Sequence, residues 1–510
     1  MFGTEKPIAF QITEINPDSA KGETTQPLNI GQWLTLKRSE PVDPAVGSYF
    51  PPQWLRKTQI NAKVMDEVTI DKMADDTVRY IYHLDFANTW KDRLKFGLYR
   101  FNPIIVWALF IVGLFNVVYL KSFNITYFWY KPILNIYSIT ISFYILSRFF
   151  LSVFYKPPQD VGYLPKISVI IACKNEEDSI RKTIDHIYAS NYPQDLMEVI
   201  TINDGSTDGT LREMRLAARI YPHLMIINFK KNLGKRHGMA AGARRAKGDI
   251  LVYIDSDSFV KKTTLRKIVR GFSNPKVGAV CGHANVANAT ENMLTKMQQV
   301  RYFVAFRVLK SSESLFWAVS CCSGCLAAYR RSYVMDILDI WLNQKFLGIE
   351  ATFGDDRSLT NFMLRRYRVL YDSEAVCSTL VPSTYRVFFR QQLRWKKSWI
   401  RETFIASRFM WKRHPLAAFF FYMGAVFPMI APFIVINALV LPLFVFQPIS
   451  FLYVYGAFLM ACLYSLVYLG YFRDGIWVYG ILFSFFYMIV LVWQTYYALL
   501  TVRQNHWGTR

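Results

Sequence analysis

The run FNPIIVWALFIVGLFNVVYL, Phe101–Leu120, restricts this chain more than any other feature. About 20 apolar residues in succession match the hydrocarbon core of a bilayer crossed as an α-helix. A second run covers roughly Tyr127–Phe154. After a long polar middle come Leu416–Phe446, roughly Phe451–Phe472 and a last stretch from about Ile476 to Thr501. With 52% hydrophobic and 16% aromatic residues among 510, the chain is too apolar for an ordinary soluble protein of its length. An integral, multi-pass membrane protein is expected. Lys91, Arg93, Lys95 and Arg100 precede the first run, while Arg148 and Lys156 close the second. The positive-inside rule then puts the N-terminal region and everything after 156 in the cytoplasm, and the membrane expected is the plasma (inner) membrane. Residues 1–20 lack a basic start followed by an apolar core, so no signal peptide is expected there.

A formal net charge of +23, from 60 Lys+Arg against 37 Asp+Glu, suits nucleic acid, anionic lipid or a phosphorylated substrate. The basic residues lie beside membrane runs and in glycine loops without a recognised reader motif, so no nucleic-acid partner is expected. Seven cysteines stand at 173, 281, 321, 322, 325, 377 and 462. Cys322 and Cys325 form a lone CxxC, which without a second pair points to reduced thiols on a cytosolic face rather than to zinc.

Residues 165 to about 385 change character. ISVIIAC (167–173), MEVITIN (197–203), LMIINF (224–229) and ILVYID (250–255) are short β-branched runs separated by helical patterns such as EEDSIRKTIDHIYAS. That alternation predicts an α/β domain of parallel strands joined by crossover helices. Ligands of such sheets sit beyond the carboxyl ends of the strands, and the polar clusters fall there. Asn175 and Glu176 follow the first strand, Asp204 and Gly205 the second, Asp255 and Asp257 the fourth.

Asp255-Ser256-Asp257 holds two carboxylates two residues apart at a strand end, so both can face one side and share a hard divalent cation, Mg2+ or Mn2+. Such an ion takes the rest of its shell from water and substrate phosphates. The same residue types also make plain turns and helix caps. Asp204, in NDGSTDGT, can meet the imide N–H of a uracil ring, and Lys235 and Arg236 beside Gly234 suit a diphosphate. Together these pieces describe a metal-dependent nucleotide-diphosphate site. FGDDRSLTN then sets Asp355 and Asp356 side by side in a basic chain, with Arg357 able to balance them.

NDGSTDGT, GKRHGMA, DSDSFV, CSGCLAAYRR, FLGIEATFGDDRSLTN, RQQLRWKKSWIRE and the terminal WGTR stand in an order and spacing that resembles the processive family 2 glycosyltransferases, most of all the hyaluronan synthases. The chitin-oligosaccharide, chitin and cellulose synthases are more distant relatives. The resemblance covers about 100–510. It implies a GT-A type nucleotide-diphospho-sugar transferase domain, a Rossmann-like mixed sheet inserted between transmembrane and interfacial helices. It also implies an inverting enzyme that polymerises UDP-activated sugars, UDP-GlcNAc with UDP-GlcA or UDP-GlcNAc alone, and passes the growing polysaccharide through the bilayer. Asp356 would be the general base on the acceptor hydroxyl, with Asp355 holding the shell around it. Asn175, Glu176, Asp204, Lys235, Arg236 and Asp255 would bind the donor nucleotide, and Asp255 and Asp257 the metal. Cys322, Gln391, Arg394, Trp395, Trp507 and Arg510 would lie at the acceptor and diphosphate end.

Two departures stand out. Cys325 occupies a place where the family usually has proline, and the first strand ends Ala-Cys-Lys-Asn where relatives tend to show Pro-Ser-Tyr-Asn, which removes an aromatic partner for the base. The expected organisation is an N-terminal cytoplasmic region of unknown role (1–98), two transmembrane helices (99–155), the cytoplasmic transferase domain (156–384), amphipathic interface helices with QQLRW (385–413), and C-terminal transmembrane and interfacial helices ending in WGTR (414–510). For WGTR to reach a cytoplasmic site, the last apolar stretch must be re-entrant or interfacial.

Overall fold

The computed structural model describes the backbone of residues 11–15, 19–24, 33–37, 59–72, 78–86 and 90–504, apart from 128, 130, 446–449 and 473. Side chains are described from residue 104 onward. Trp507 and Arg510 therefore lie outside the described residues. The chain divides into two compact units, Met1–Phe110 and Ile111–Arg510. The first holds an antiparallel sheet of β1 (Gln11–Ile15), β2 (Ser19–Thr24), β3 (Trp33–Lys37), β4 (Gln59–Lys72) and β5 (Val78–Phe86), ordered β1-β2-β5-β4-β3. This sheet was not foreseen from the sequence.

Helix α1 (Trp90–Thr126) follows, and then α2 (Pro132–Val153). Ile104–Thr126, Pro132–Val153, Pro415–Phe444 and Phe451–Phe472 are long and apolar enough to cross a membrane. Large apolar side chains stand in the open along them, Phe115 at 70% and Ile133 at 73%, as lipid-facing helices require. Gly475–Leu491 and Gln494–Leu500 reach that length only as a pair bent by 44°, a broken span or a re-entrant loop.

Between these helices lies a mixed eight-stranded sheet. Its strands are β6 (Ile167–Cys173), β7 (Met197–Asp204), β8 (Leu224–Phe229), β9 (Ile250–Tyr253), β10 (Ser258–Val260), β11 (Val277–Val286), β12 (Ala327–Arg330) and β13 (Arg368–Thr379). Their order is β10-β13-β11-β12-β9-β6-β7-β8. Strands β9, β6, β7 and β8 run parallel, while β12 is antiparallel to β9 and to β11. β6 is buried along its whole length, which explains why it reads as an unbroken apolar run instead of an alternating one. Helix α3 (Ile180–Tyr188) buries Ile180, Thr183, Ile184 and Ile187, the spacing of one helical face. Because β6, β7 and β9 are parallel neighbours, their exits at 175, 205 and 255 open on one edge of the sheet.

Helix α4 (Lys235–Arg245) packs on the sheet through Gly238 and Gly242, where a Cβ would come within 2.9 Å of Ala172 and 2.5 Å of Ile170. Further along are α5 (Met293–Val304), α6 (Arg331–Leu342) and α7 (Asp355–Leu364). Gly354 enters α7 with φ +75°, and a Cβ there would overlap Ser398 Oγ, so glycine answers both demands. Helix α8 (Tyr385–Met410) carries the RQQLRW segment, followed by α9 (Pro415–Val435) and α10 (Phe451–Phe472). The amphipathic pattern of α8 predicts a helix lying flat at the interface. In the structure α8 packs against α7 and buries charge, with Arg401 and Glu402 4% and 1% exposed. Glu402 accepts from Arg401 Nε (2.8 Å), Gln344 Nε2 (3.1 Å) and Asn361 Nδ2 (3.0 Å), so the charges are paired within the protein.

Candidate active site

The strand exits are stitched together by side chains. Asn175 adopts a left-handed φ of 54°; its N–H donates to Ser206 Oγ (3.0 Å) and its Oδ1 accepts from Thr207 N–H (2.9 Å). The Glu176 N–H donates to Thr210 Oγ1 (2.8 Å), and its Oε2 accepts from Ser179 Oγ (2.8 Å). Asp204 is buried, and its two oxygens accept the N–H groups of Leu233 (2.7 Å) and Gly234 (2.9 Å). The sequence offered Asp204 to a nucleobase; in the structure it holds the glycine loop that leads into Lys235.

Lys235 forms an ion pair with Asp255, with side chains 30% and 29% exposed. Burial opposes the Lys235 ammonium, but Asp255, supported by Asp355 and Asp356, outweighs it and raises its pKa. That lysine therefore feels the acids of two distant sequence motifs. Asp257 Oδ1 accepts from Thr379 Oγ1 (3.3 Å) on β13, and Thr183 donates to the Ser256 carbonyl (2.7 Å).

Arg236 corrects the sequence reading. Its guanidinium donates to Asp355 Oδ1 (2.7 Å), the Trp341 carbonyl (3.1 Å) and Gln344 Oε1 (3.2 Å), and stacks 5.0 Å from the Trp341 ring centre. Both ion-pair partners are nearly inaccessible, at 3% and 4%, so Arg236 braces α7, whereas Lys235 stays partly exposed beside Asp255. Arg236, rather than Arg357, also balances Asp355. Asp356 is only half-buried at the second position of α7; its Oδ1 accepts from Arg357 N–H (2.8 Å) and its Oδ2 faces Cys321 Sγ (3.6 Å). The Cys321 thiol is pushed up to about 12, first by burial and then by Asp356.

The loop 321–325 joins the two acidic clusters. Cys322 N–H donates to Thr360 Oγ1 (2.9 Å), which donates to the Asp356 carbonyl (2.7 Å). At Gly324 a Cβ would stand 3.1 Å from both Asp255 oxygens and 3.3 Å from Lys235 Nζ. Cys322 is fully buried, and its backbone N–H makes the contact to Thr360. On the other side, Trp395 lies 6.5 Å from the Tyr302 ring and 5.5 Å from the Arg301 guanidinium. Burial raises the Tyr302 phenol, reinforced by Cys325 and by Asp257 and Asp255. Gln391 keeps a buried Oε1 without a hydrogen-bond partner; Arg394 follows it one helical turn on. Trp341, Thr360 and Tyr302 were missed in the sequence because each looks like a core residue on a helix.

Arg357 points the other way, into a cavity of about 160 Å³ shared with Ser320, Trp399, Tyr144, Arg148 and Gly424. Tyr144 and Arg148 belong to α2 and Gly424 to α9, so this space adjoins the residue next to Asp356 and two membrane-length helices.

Comparison with known proteins bears on the fold and the family. Residues 168–338 match the model of glycosyl transferase family 2. Over 436 residues the chain is 28% identical to hyaluronan synthase of Streptococcus pyogenes, spanning 80% of this chain and 98% of that one. Over 268 residues it is 34% identical to an N-acetylglucosaminyltransferase of Rhizobium meliloti (strain 1021), spanning 51% and 62%. A solved mannosyltransferase, PcManGT from Pyrobaculum calidifontis in complex with GDP-Man and Mn2+, shares the fold at TM-score 0.50 and 21% identity, over 79% of this chain and 100% of that one. A family 2 glycosyltransferase domain over residues 168–338, a likeness to hyaluronan synthase along 80% of the chain and the membrane-length helices identify a glycosyltransferase that resembles the hyaluronan synthases.

Proposed function

We propose that the chain is a processive, inverting transferase that adds sugars from UDP-GlcNAc and UDP-GlcA to a growing β-linked polysaccharide and guides the product into its own membrane helices. The catalytic domain faces the cytoplasm at the plasma membrane, where the donors are. One observation carries this reading: the 321–325 loop lies against Asp255 and Lys235 at one end and Asp356 at the other. Donor and acceptor chemistry thus share one floor.

Asp356 takes the proton from the acceptor hydroxyl as its oxygen attacks the anomeric carbon. A single displacement on the face opposite the leaving group inverts that carbon. Asp355, locked by Arg236, keeps α7 in register so that Asp356 stays in the cleft. Lys235 stabilises the negative charge that builds on the departing diphosphate, and Arg394 supports it from α8. Asn175 and Glu176 frame the uridine end, while Asp204 fixes the loop on which Lys235 is mounted. Trp395 offers a flat face to a pyranose ring, and Gln391 a buried acceptor for a sugar hydroxyl. Trp507 and Arg510 of WGTR lie outside the described residues, and their role at the diphosphate rests on the resemblance of that motif alone.

Asp255 and Asp257 provide hard oxygen ligands on one turn, and no group of three possible ligands occurs among the described residues. That donor set fits Mg2+ or Mn2+ completed by phosphate oxygens and water. When bound, the ion supplies charge neutralisation at the diphosphate. Polar passage through a bilayer needs a protein-lined path, and the cavity bounded by Arg357, Trp399, Arg148 and Gly424 is its mouth.

A second reading, a chitin-type synthase using UDP-GlcNAc alone, is favoured by the 34% identity to an N-acetylglucosaminyltransferase. Purified protein in detergent, given Mg2+ or Mn2+ and single or paired UDP-sugars, decides between them. Hyaluronidase-sensitive polymer made only from paired donors supports the first reading. Chitinase-sensitive polymer from UDP-GlcNAc alone supports the second, and absence of UDP release from every donor rejects both.

A further inference from the structure

A buried ammonium lies outside the residues assigned so far. Lys310 ends a six-residue π-helix, Ala305–Lys310, that continues α5, a helical irregularity that tends to mark functional positions. Its residue is 9% exposed. Nζ donates to Cys321 C=O (2.7 Å), Ser323 Oγ (2.6 Å) and Cys281 Sγ (3.0 Å), and sits 4.3 Å from the Phe306 ring centre. Among the described residues no carboxylate lies within ion-pair distance of it. An ammonium withdrawn from water needs a counter-charge or pays a large desolvation cost. The one acid touching Nζ is the Cys281 thiol, fully buried on β11.

We propose that Lys310 and Cys281 form an ammonium–thiolate positioning pair that holds residues 321–324 between Asp255 and Asp356, and so sets the distance across which transfer occurs. The inference rests on the transferase reading above for its consequence, and on contacts alone for its mechanism. Residues 321–323 have no regular secondary structure, so their course depends on tie points. One is the Cys322 N–H to Thr360. The others are the two bonds from Lys310, one to a backbone carbonyl and one to a side chain two residues on. The Cys281 side agrees: burial raises its thiol, but the Cys322 hydrogen bond and the Lys310 charge bring it down to about 6. A thiolate keeps Lys310 charged, and a charged Lys310 keeps all three donors directed at the loop and at Cys281. Neither side chain touches substrate in this scheme.

The test uses the full-length chain in detergent. Lys310→Met keeps the stem and removes the charge. Cys281→Ala/Lys310→Met removes both partners together, so no uncompensated buried charge remains to unfold the protein. Hydrogen exchange of the peptide covering 321–326 should speed up about tenfold in both variants while strands β6 and β7 keep their protection. In turnover, kcat should fall about 100-fold, since sub-ångström placement is at stake, with donor KM within about threefold of wild type. Unchanged loop exchange in the folded double variant overturns the pair as a holder. Faster loop exchange with wild-type kcat overturns its role in transfer. If the wild-type chain releases no UDP from any donor, the transferase reading fails while the exchange result still decides whether the pair orders the loop.

Discussion

Replacing Arg236 with methionine separates a structural arginine from a phosphate ligand. Arg236 and Asp355 are 3% and 4% exposed and meet at 2.7 Å. Methionine fills most of the arginine stem but leaves Asp355 buried without its partner, and removes the donors to the Trp341 carbonyl and Gln344. Deleting one member of a buried pair costs about 3–5 kcal/mol, because the surviving charge stays in low dielectric. At about 2–4 °C per kcal/mol for a domain of this size, the melting midpoint should fall by roughly 10 °C. UDP affinity of the folded protein below that temperature should stay within about threefold of wild type, as the guanidinium gives the diphosphate nothing. Lys235→Met should do the reverse: little change in melting, and UDP binding weakened by about tenfold or more, since one exposed charge-assisted contact is worth about 1.5–3 kcal/mol. Melting curves in detergent with and without UDP measure both. If Arg236→Met melts like wild type and loses UDP, the guanidinium faces the ligand and the bracing assignment is wrong.

Asp356→Asn keeps the side-chain shape and the contact with Arg357 N–H but loses the base, so polymer formation should drop about 10²–10⁴-fold while UDP still binds by calorimetry; polymer at a tenth of wild-type rate or better would discard Asp356 as the base. Asp257→Asn should raise the Mg2+ or Mn2+ concentration needed for half-maximal UDP release by about tenfold or more, read from a metal titration, whereas an unshifted titration removes Asp257 from the metal site. Gly354→Ala meets a φ of +75° and Ser398, so it should destabilise by about 1–3 kcal/mol and lower the melting midpoint. Lys396 offers a pH test. Burial, helped by Arg301, lowers its pKa from 10.5 to about 7. The unfolded chain then binds the extra proton between those values, so this lysine makes stability rise with pH from about 7 to 10 and costs most below 7. Lys396→Met should flatten that slope in melting curves taken across the range; an unaltered slope would show that the side chain is hydrated.

The sequence alone determined the parts governed by local rules. Four apolar runs of spanning length, the unbroken β6 and β7, and the polar exits at 175, 205 and 255 follow from hydropathy and from the burial of parallel strands on both faces. These facts also gathered on one sheet edge the polar clusters proposed to bind the nucleotide. The antiparallel sheet of residues 11–86 was not visible, because its register depends on pairing between strands as far apart as Ser19 and Asp85. Which charges serve the substrate was likewise out of reach. Lys235 and Arg236 are consecutive and chemically alike, yet the helical turn sends one to Asp255 and the other to Asp355, 119 positions away. Only tertiary packing decides which cation stays near solvent and which is buried as a brace. The same holds for Lys310 and Cys281, on a π-turn and a central strand, whose meeting beneath the 321–325 loop arises when the sheet and α5 close over one another.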